Sequence, residues 1–276
     1  MTSPPKLADV IARHGLDARK SLGQHFLLDE NLTARIVRLA GDLSGVQVIE
    51  VGPGPGGLTR SLLRSDADHV TVVEIDRRAA IAMRELAEHA PGRLTVIEHD
   101  AVGMDLSQLV PAPRQIIANL PYNVASPLLV GLLRQAADWQ RLTLMFQLEV
   151  AERITAPPTS GAYGRLGVLA QWCCRPNIVM RIPPEAFRPP PKVWSAVVRL
   201  DPKPDQPSAA LFKTMEAVTA AAFGQRRKML RSALKGLGGE NLLQAAEIDS
   251  TRRAETLSVA EFERLAVVVS GLVPPF

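Results

Sequence analysis

The chain has 276 residues, 46% of them apolar and 22% charged, with 32 Lys and Arg against 28 Asp and Glu. That composition supports a sizeable core and excludes a disordered chain, and the length suits one large domain or a core with a small appendage. The mild positive excess permits a polyanionic partner without requiring one. Residues 1–15 hold no apolar core for a secretion signal, and no run of 18 apolar residues offers a membrane span. The two cysteines, Cys173 and Cys174, are adjacent, so they cannot staple distant segments and make a poor metal site. A cytoplasmic protein with no bound metal and no membrane partner is expected.

Helical spacing begins at Asn31, and then the period changes. Residues 46–51 (VQVIEV) form a β-branched run that stops at Gly52. Residues 70–75, 94–98 and 115–119 are three more such runs, with helical spacing between them at 58–64 and 77–89. Strands alternating with helices predict βαβ units and a mostly parallel, doubly wound sheet covered on both faces. After 141–148 the rhythm alters. Residues 177–182 and 193–200 read as an antiparallel hairpin added at the sheet edge, joined by the proline-rich stretch 183–191. Residues 201–208 (DPKPDQPS) carry three prolines and no apolar anchor, which marks a linker. Beyond it only helices are expected, at 209–223, 226–234, 241–246 and 259–270. The predicted architecture is an α/β core, 1–204, followed by a small all-helical C-terminal domain, 205–276.

The glycine cluster Gly52-Pro53-Gly54-Pro55-Gly56-Gly57 directly follows the first strand run. Glycines let backbone amides approach a ligand, and the next helix presents its N-terminus there. Glu74 ends the second run, where a carboxylate can accept from both ribose hydroxyls of an adenosine, and Asp100 ends the third, within reach of an adenine amino group. Three ligating positions at successive strand ends indicate an adenosine-bearing cofactor. The glycines alone do not separate this from a dinucleotide oxidoreductase, because Gly52, Gly54 and Gly57 also match G-x-G-x-x-G. Asn119-Leu120-Pro121-Tyr122, ending the fourth run, does separate them. An adenine N6 amine is a poor nucleophile, since its lone pair is delocalised into the ring. Acceptors on both N–H bonds, the Asn119 side-chain carbonyl and the Leu120 backbone carbonyl, would aim that lone pair at a methyl donor. Pro121 restricts Leu120 to extended geometry, and Tyr122 offers a ring for the target base. Such catalysis works by orientation and fixed dipoles and needs no tuned general base.

Six ordered segments carry a resemblance: 20–29 (KSLGQHFLLD), 48–59 (VIEVGPGPGGLT), 119–128 (NLPYNVASPL), 162–171 (AYGRLGVLAQ), 184–200 (PEAFRPPPKVWSAVVRL) and 222–234 (AFGQRRKMLRSAL). Over nearly its whole length the chain resembles the bacterial 16S rRNA adenine dimethyltransferases. The resemblance implies a Rossmann-like class I methyltransferase fold with S-adenosyl-L-methionine as cofactor. It further implies dimethylation of N6 on two adjacent adenines near the 3' end of 16S rRNA in the 30S subunit, with a role in ribosome biogenesis. A monomer is expected. It places His25 and Leu27 in the cofactor pocket with Gly52, Glu74, Asp100 and Asn119. Many relatives have Asn where His25 stands, a change that a backbone contact survives and a side-chain contact does not. It also sets Phe187 opposite Tyr122 to sandwich a flipped adenine. Arg226, Arg227, Lys228, Arg231 and Lys235, at the expected start of a C-terminal helix, then read as phosphate contacts whose strength falls with salt. A 23S rRNA methyltransferase of the resistance type is the nearest alternative, a DNA adenine methyltransferase a weaker one, and a ribosome-assembly checkpoint factor with slow chemistry the alternative of another class.

Overall fold

The computed structural model describes residues 4–16 and 25–271, so residues 20–24 of the first motif lie outside the described residues. Helix α1 (Leu7–Arg13) precedes a two-residue strand, β1 (Phe26–Leu27), and then α2 (Glu30–Leu39). Asp29 starts α2 by accepting from the Asn31 and Leu32 amides, donors that the helix itself cannot satisfy. The alternating part follows as β2 (Gln47–Val51), α3 (Gly57–Leu63), β3 (His69–Glu74), α4 (Arg77–Glu88) and β4 (Leu94–Glu98). It continues through β5 (Arg114–Asn119), α5 (Ala125–Arg134), β6 (Arg141–Gln147) and α6 (Leu148–Thr155). Then come α7 (Arg165–Cys173), β7 (Cys174–Ile182), β8 (Phe187–Arg188) and β9 (Ser195–Pro202). Four helices close the chain: α8 (Ala209–Gly224), α9 (Leu230–Ala233), α10 (Gly239–Ala245) and α11 (Val259–Ser270).

Seven strands form one sheet in the order β4-β3-β2-β5-β6-β9-β7. The pairs β2–β3, β3–β4, β2–β5 and β5–β6 are parallel, and β9 runs antiparallel to β6. From β2 the chain winds outward through β3 and β4, then returns to the other side through β5 and β6. The order therefore reverses between β2 and β5, and a crevice opens outside their carboxyl ends. The central strands are buried on both faces, which is why they read as apolar runs and not as alternations. Leu62, Val70, Met83, Ile117 and Val197 belong to the core between sheet and helices. Burying each such side chain contributes about 1.5–3 kcal/mol relative to exposure.

The chain divides into two compact units, one of Met1–Ala151 with Asn177–Pro202, the other of Glu152–Pro176 with Lys203–Phe276. The chain thus enters the helical unit twice, at Glu152 and again at Lys203, whereas a single cut near residue 204 was expected. Side-chain hydrogen bonds account for the difference. Lys203 Nζ donates to Gln171 O (2.6 Å), Gln206 Nε2 to Cys173 O (2.8 Å), and Gln171 Nε2 to Ala156 O (2.8 Å). Rings add to this: Trp172 stacks on Phe212 at 6.0 Å and Tyr163 meets Phe223 edge-on at 6.0 Å. None of these contacts leaves a compositional trace. Among the described residues no helix is long and apolar enough to cross a membrane.

Candidate active site

The carboxyl ends of β2, β3 and β5 meet at a solvent-open cleft of about 930 Å³. Beyond β2 the chain turns through Gly52, Gly54 and Gly56, all with positive φ (68°, 54° and 91°). Gly54 is doubly constrained, because a Cβ there would come within 2.8 Å of the Phe26 ring. Only glycine satisfies both conditions. A Cβ at Gly52 would already touch Pro121 at 3.4 Å, so the turn lies directly against the Asn119–Tyr122 tetrapeptide.

Glu74 ends β3 and is 4% exposed. Its oxygens accept from the Gly54 amide (3.1 Å) and the Asp76 amide (2.8 Å), so it braces the glycine turn while lining the cleft. Burial raises its pKa, and the two amide bonds pull it back. Asp100 is exposed and lines the same cleft, with Oδ1 accepting from the Val102 amide at 2.9 Å.

Asn119 ends β5, and its Nδ2 donates to the His25 backbone oxygen at 3.0 Å. A carbonyl can only accept, so this bond fixes which way the amide lies and turns Oδ1 away from His25. Leu120 is buried, and the Pro121 carbonyl accepts from the Val124 amide (3.1 Å) at the start of α5. Tyr122 is held at two points. Its hydroxyl lies 2.5 Å from Ser195 Oγ, and its ring stacks on His25 with centroids 5.4 Å apart. His25 is itself anchored, Nδ1 donating to the Pro189 carbonyl at 2.8 Å.

Of the residues expected at the site, His25, Leu27, Gly52, Glu74, Asp100, Asn119, Leu120, Pro121 and Tyr122 all line this cleft. Phe187 does not. Its strand pairs with β1, Leu27 opposite Phe187, and the alternation of a strand turns Phe187 into the core and Arg188 outward. Phe187 is wholly buried in the core, so the expected sandwich with Tyr122 is corrected; the ring that stacks on Tyr122 is His25. The segment 184–200 still frames the site, through the Pro189 carbonyl and Ser195.

Sequence reasoning missed Glu50. It sits inside β2, is 1% exposed, lines the cleft and accepts from Thr59 Oγ1 at 2.7 Å. Burial, opposed by that hydrogen bond and reinforced by the Glu74 charge, pushes its carboxyl up to about 8. The available signal was a carboxylate inside an apolar run, V-I-E-V. Ile75, 56% exposed on the cleft wall, was missed too.

In the helical unit, α8 ends at Gly224 and α9 begins at Leu230, so Arg226, Arg227 and Lys228 occupy a turn and not the start of a helix. The Leu230 and Arg231 amides bond to the Arg252 and Ser250 carbonyls, which sets the short helix apart from α8. Arg226 is spent internally: Nη2 donates to Gly161 O at 2.9 Å. Lys228, Arg231 and Lys235 line one exposed cleft.

The family model described as "Ribosomal RNA adenine dimethylase" matches residues 15–270. The chain is 66% identical to "Ribosomal RNA small subunit methyltransferase A" of Gluconobacter oxydans, over 96% of this chain and 87% of that protein. It is 54% identical to the Rhodospirillum rubrum protein of the same name, over 97% and 93%. Among solved structures, a dimethyladenosine transferase from Plasmodium falciparum superposes with TM-score 0.73 at 26% identity, covering 90% of this chain and 99% of that one. The 23S rRNA methyltransferase ErmE superposes with TM-score 0.64 at 26% identity, covering 88% and 99%. The chain belongs to the ribosomal RNA adenine dimethylase family.

Proposed function

We infer that this chain transfers methyl groups from S-adenosyl-L-methionine to adenine N6 in ribosomal RNA of the small subunit, two to each of two adjacent adenines near its 3' end. The observation that carries the reading is the fixed amide of Asn119. With Nδ2 committed to the His25 carbonyl, Oδ1 remains as an acceptor beside Leu120 and Tyr122.

The cleft suits the cofactor on its own terms. Glu50, Glu74 and Asp100 line it, and among the described residues no Lys or Arg does. The carboxylates of Glu74 and Asp100 suit a ligand with two ribose hydroxyls and an amino group, while Glu50, held at about 8, adds little charge. Glu74 would hold the ribose, Asp100 the adenine amino group, Ile75 the adenine face, and the backbone around Gly52 and Leu27 the remainder. When bound, the cofactor supplies a methyl group already activated by its sulfonium charge. The protein's part is then to orient the amine. Asn119 Oδ1 and the Leu120 carbonyl would each take one N6 hydrogen, and Tyr122, fixed by Ser195 and His25, would carry the base on its open face. Preorganised acceptors of this kind need no reorganisation as charge develops on the nitrogen.

The finer assignments follow from the same reading: the 30S particle as substrate, Lys228, Arg231 and Lys235 of the helical unit on RNA phosphates, Arg227 beside them, a monomer, and action in the cytoplasm. Incubation with methyl-labelled cofactor and unmethylated 30S subunits, 50S subunits or DNA, followed by nucleoside mapping, tests it. Label in N6,N6-dimethyladenosine of 16S rRNA is the expected result. Label in 23S rRNA or DNA instead would replace the reading.

A further inference from the structure

Three tryptophans serve this chain, and two of them, Trp139 and Trp172, are buried. Trp194 is not: it is 48% exposed, beside Val193 at 45%. Leaving the largest apolar side chain in water is unfavourable, and its place here is specific. Trp194 immediately precedes Ser195, whose inward hydroxyl holds Tyr122 at 2.5 Å. The stretch is tied into the sheet. The Leu148 amide donates to the Trp194 carbonyl at 2.8 Å, and β9 then pairs with β6 from Ser195 opposite Gln147. Two cations, Arg188 at the end of β8 and Lys192 in the loop after it, are exposed nearby in the chain.

We propose that Trp194 is a stacking subsite for an unpaired RNA base next to the target adenine, with Arg188 and Lys192 on the adjoining phosphates. The proposal rests on the reading of Tyr122 as the target-base platform. Ser195 is buried and positions that platform, while Trp194, the residue before it, is open to solvent. An exposed aromatic flanked by cations suits single-stranded RNA, because every base has a stacking face and every linkage a negative charge. Cofactor contacts are not involved, since Trp194 does not line the cofactor cleft.

The test is steady-state methylation of unmethylated 30S subunits by the wild type, Trp194→Ala and Trp194→Tyr, with binding to a protein-free fragment of the same rRNA alongside. Trp194→Ala should raise KM for the subunit roughly tenfold, within the range of one base–aromatic stack, with kcat and cofactor affinity unchanged. Trp194→Tyr should recover most of the loss, and fragment binding should follow the same order. An unchanged KM in Trp194→Ala overturns the proposal. So does a loss on subunits without one on the RNA fragment, which would give the ring to a ribosomal protein. Wild-type enzyme that labels no rRNA adenine would instead overturn the proposed function, so the two failures are distinguishable.

Discussion

Glu50 is the residue whose protonation should be visible in the stability of the protein. Its carboxyl is pushed to about 8 in the folded chain, against an ordinary value of 4.5. Between those two values the folded chain binds more protons than the unfolded one, so stability falls as pH rises across that window. Glu50→Gln keeps the shape and can still accept from Thr59, but does not titrate. Its Tm should exceed that of the wild type at pH 8 and approach it at pH 5, by calorimetry without ligand. An equal pH-dependent drop in both proteins would show that Glu50 is ionised throughout. Glu74 differs, because two backbone amides already stabilise its charge. Glu74→Ala should weaken S-adenosylmethionine binding by about 1.5–3 kcal/mol. Unchanged affinity by titration calorimetry would remove it from the ribose role.

At the scale of elements, the two-residue pairing of β1 with β8 matters more than its length suggests. It seats Leu27 so close to α3 that a Cβ at Gly57 would overlap the Leu27 carbonyl oxygen. Alanine is the better helix former by about 1 kcal/mol, yet overpacking against backbone costs about 1–3 kcal/mol. Gly57→Ala should therefore lower Tm and weaken cofactor binding together, whereas a rise in Tm would show that β1 yields easily. This pairing was not legible in the sequence, because two residues are too few for a period. Phe187 was unreadable for the same reason, since burial followed from a pairing partner 160 residues away in the chain (Leu27 opposite Phe187). The strand ends were legible: apolar runs stopping at glycine or a carboxylate are what parallel strands buried on both faces leave behind. That rule put Gly52, Glu74 and Asp100 on the cleft wall, the tetrapeptide put Asn119 there, and Glu50, inside a run, escaped both.

For the whole molecule, the proposed function divides the labour between two units, the chemistry in the α/β unit and the grip on RNA in the helical unit. Arg226 is tied to Gly161, so it belongs to the fold of the helical unit. Replacing Lys228, Arg231 and Lys235 together with Ala should weaken 30S binding and flatten its salt dependence by about 2–3 in slope, at 0.7–0.9 per phosphate. Cofactor affinity should not move. A triple variant that binds subunits as the wild type does would leave these residues as a solvated face. The division itself was half legible. Prolines at 201–208 announced one crossing, but the capture of Glu152–Pro176 by the helical unit rests on ring packing and hydrogen bonds across long sequence separations.

The orientation mechanism stands on Asn119. Asn119→Ala should fold normally, since the residue is only half-buried at a strand end and its loss leaves little cavity. Cofactor and 30S binding should persist. With both saturating, a single-turnover assay isolates the chemical step. The rate there should fall by about 10²–10³, the loss expected when one preorganised polar group leaves a transition-state site. A rate near that of the wild type would contradict the mechanism and move activation of the amine to another group, Tyr122 first.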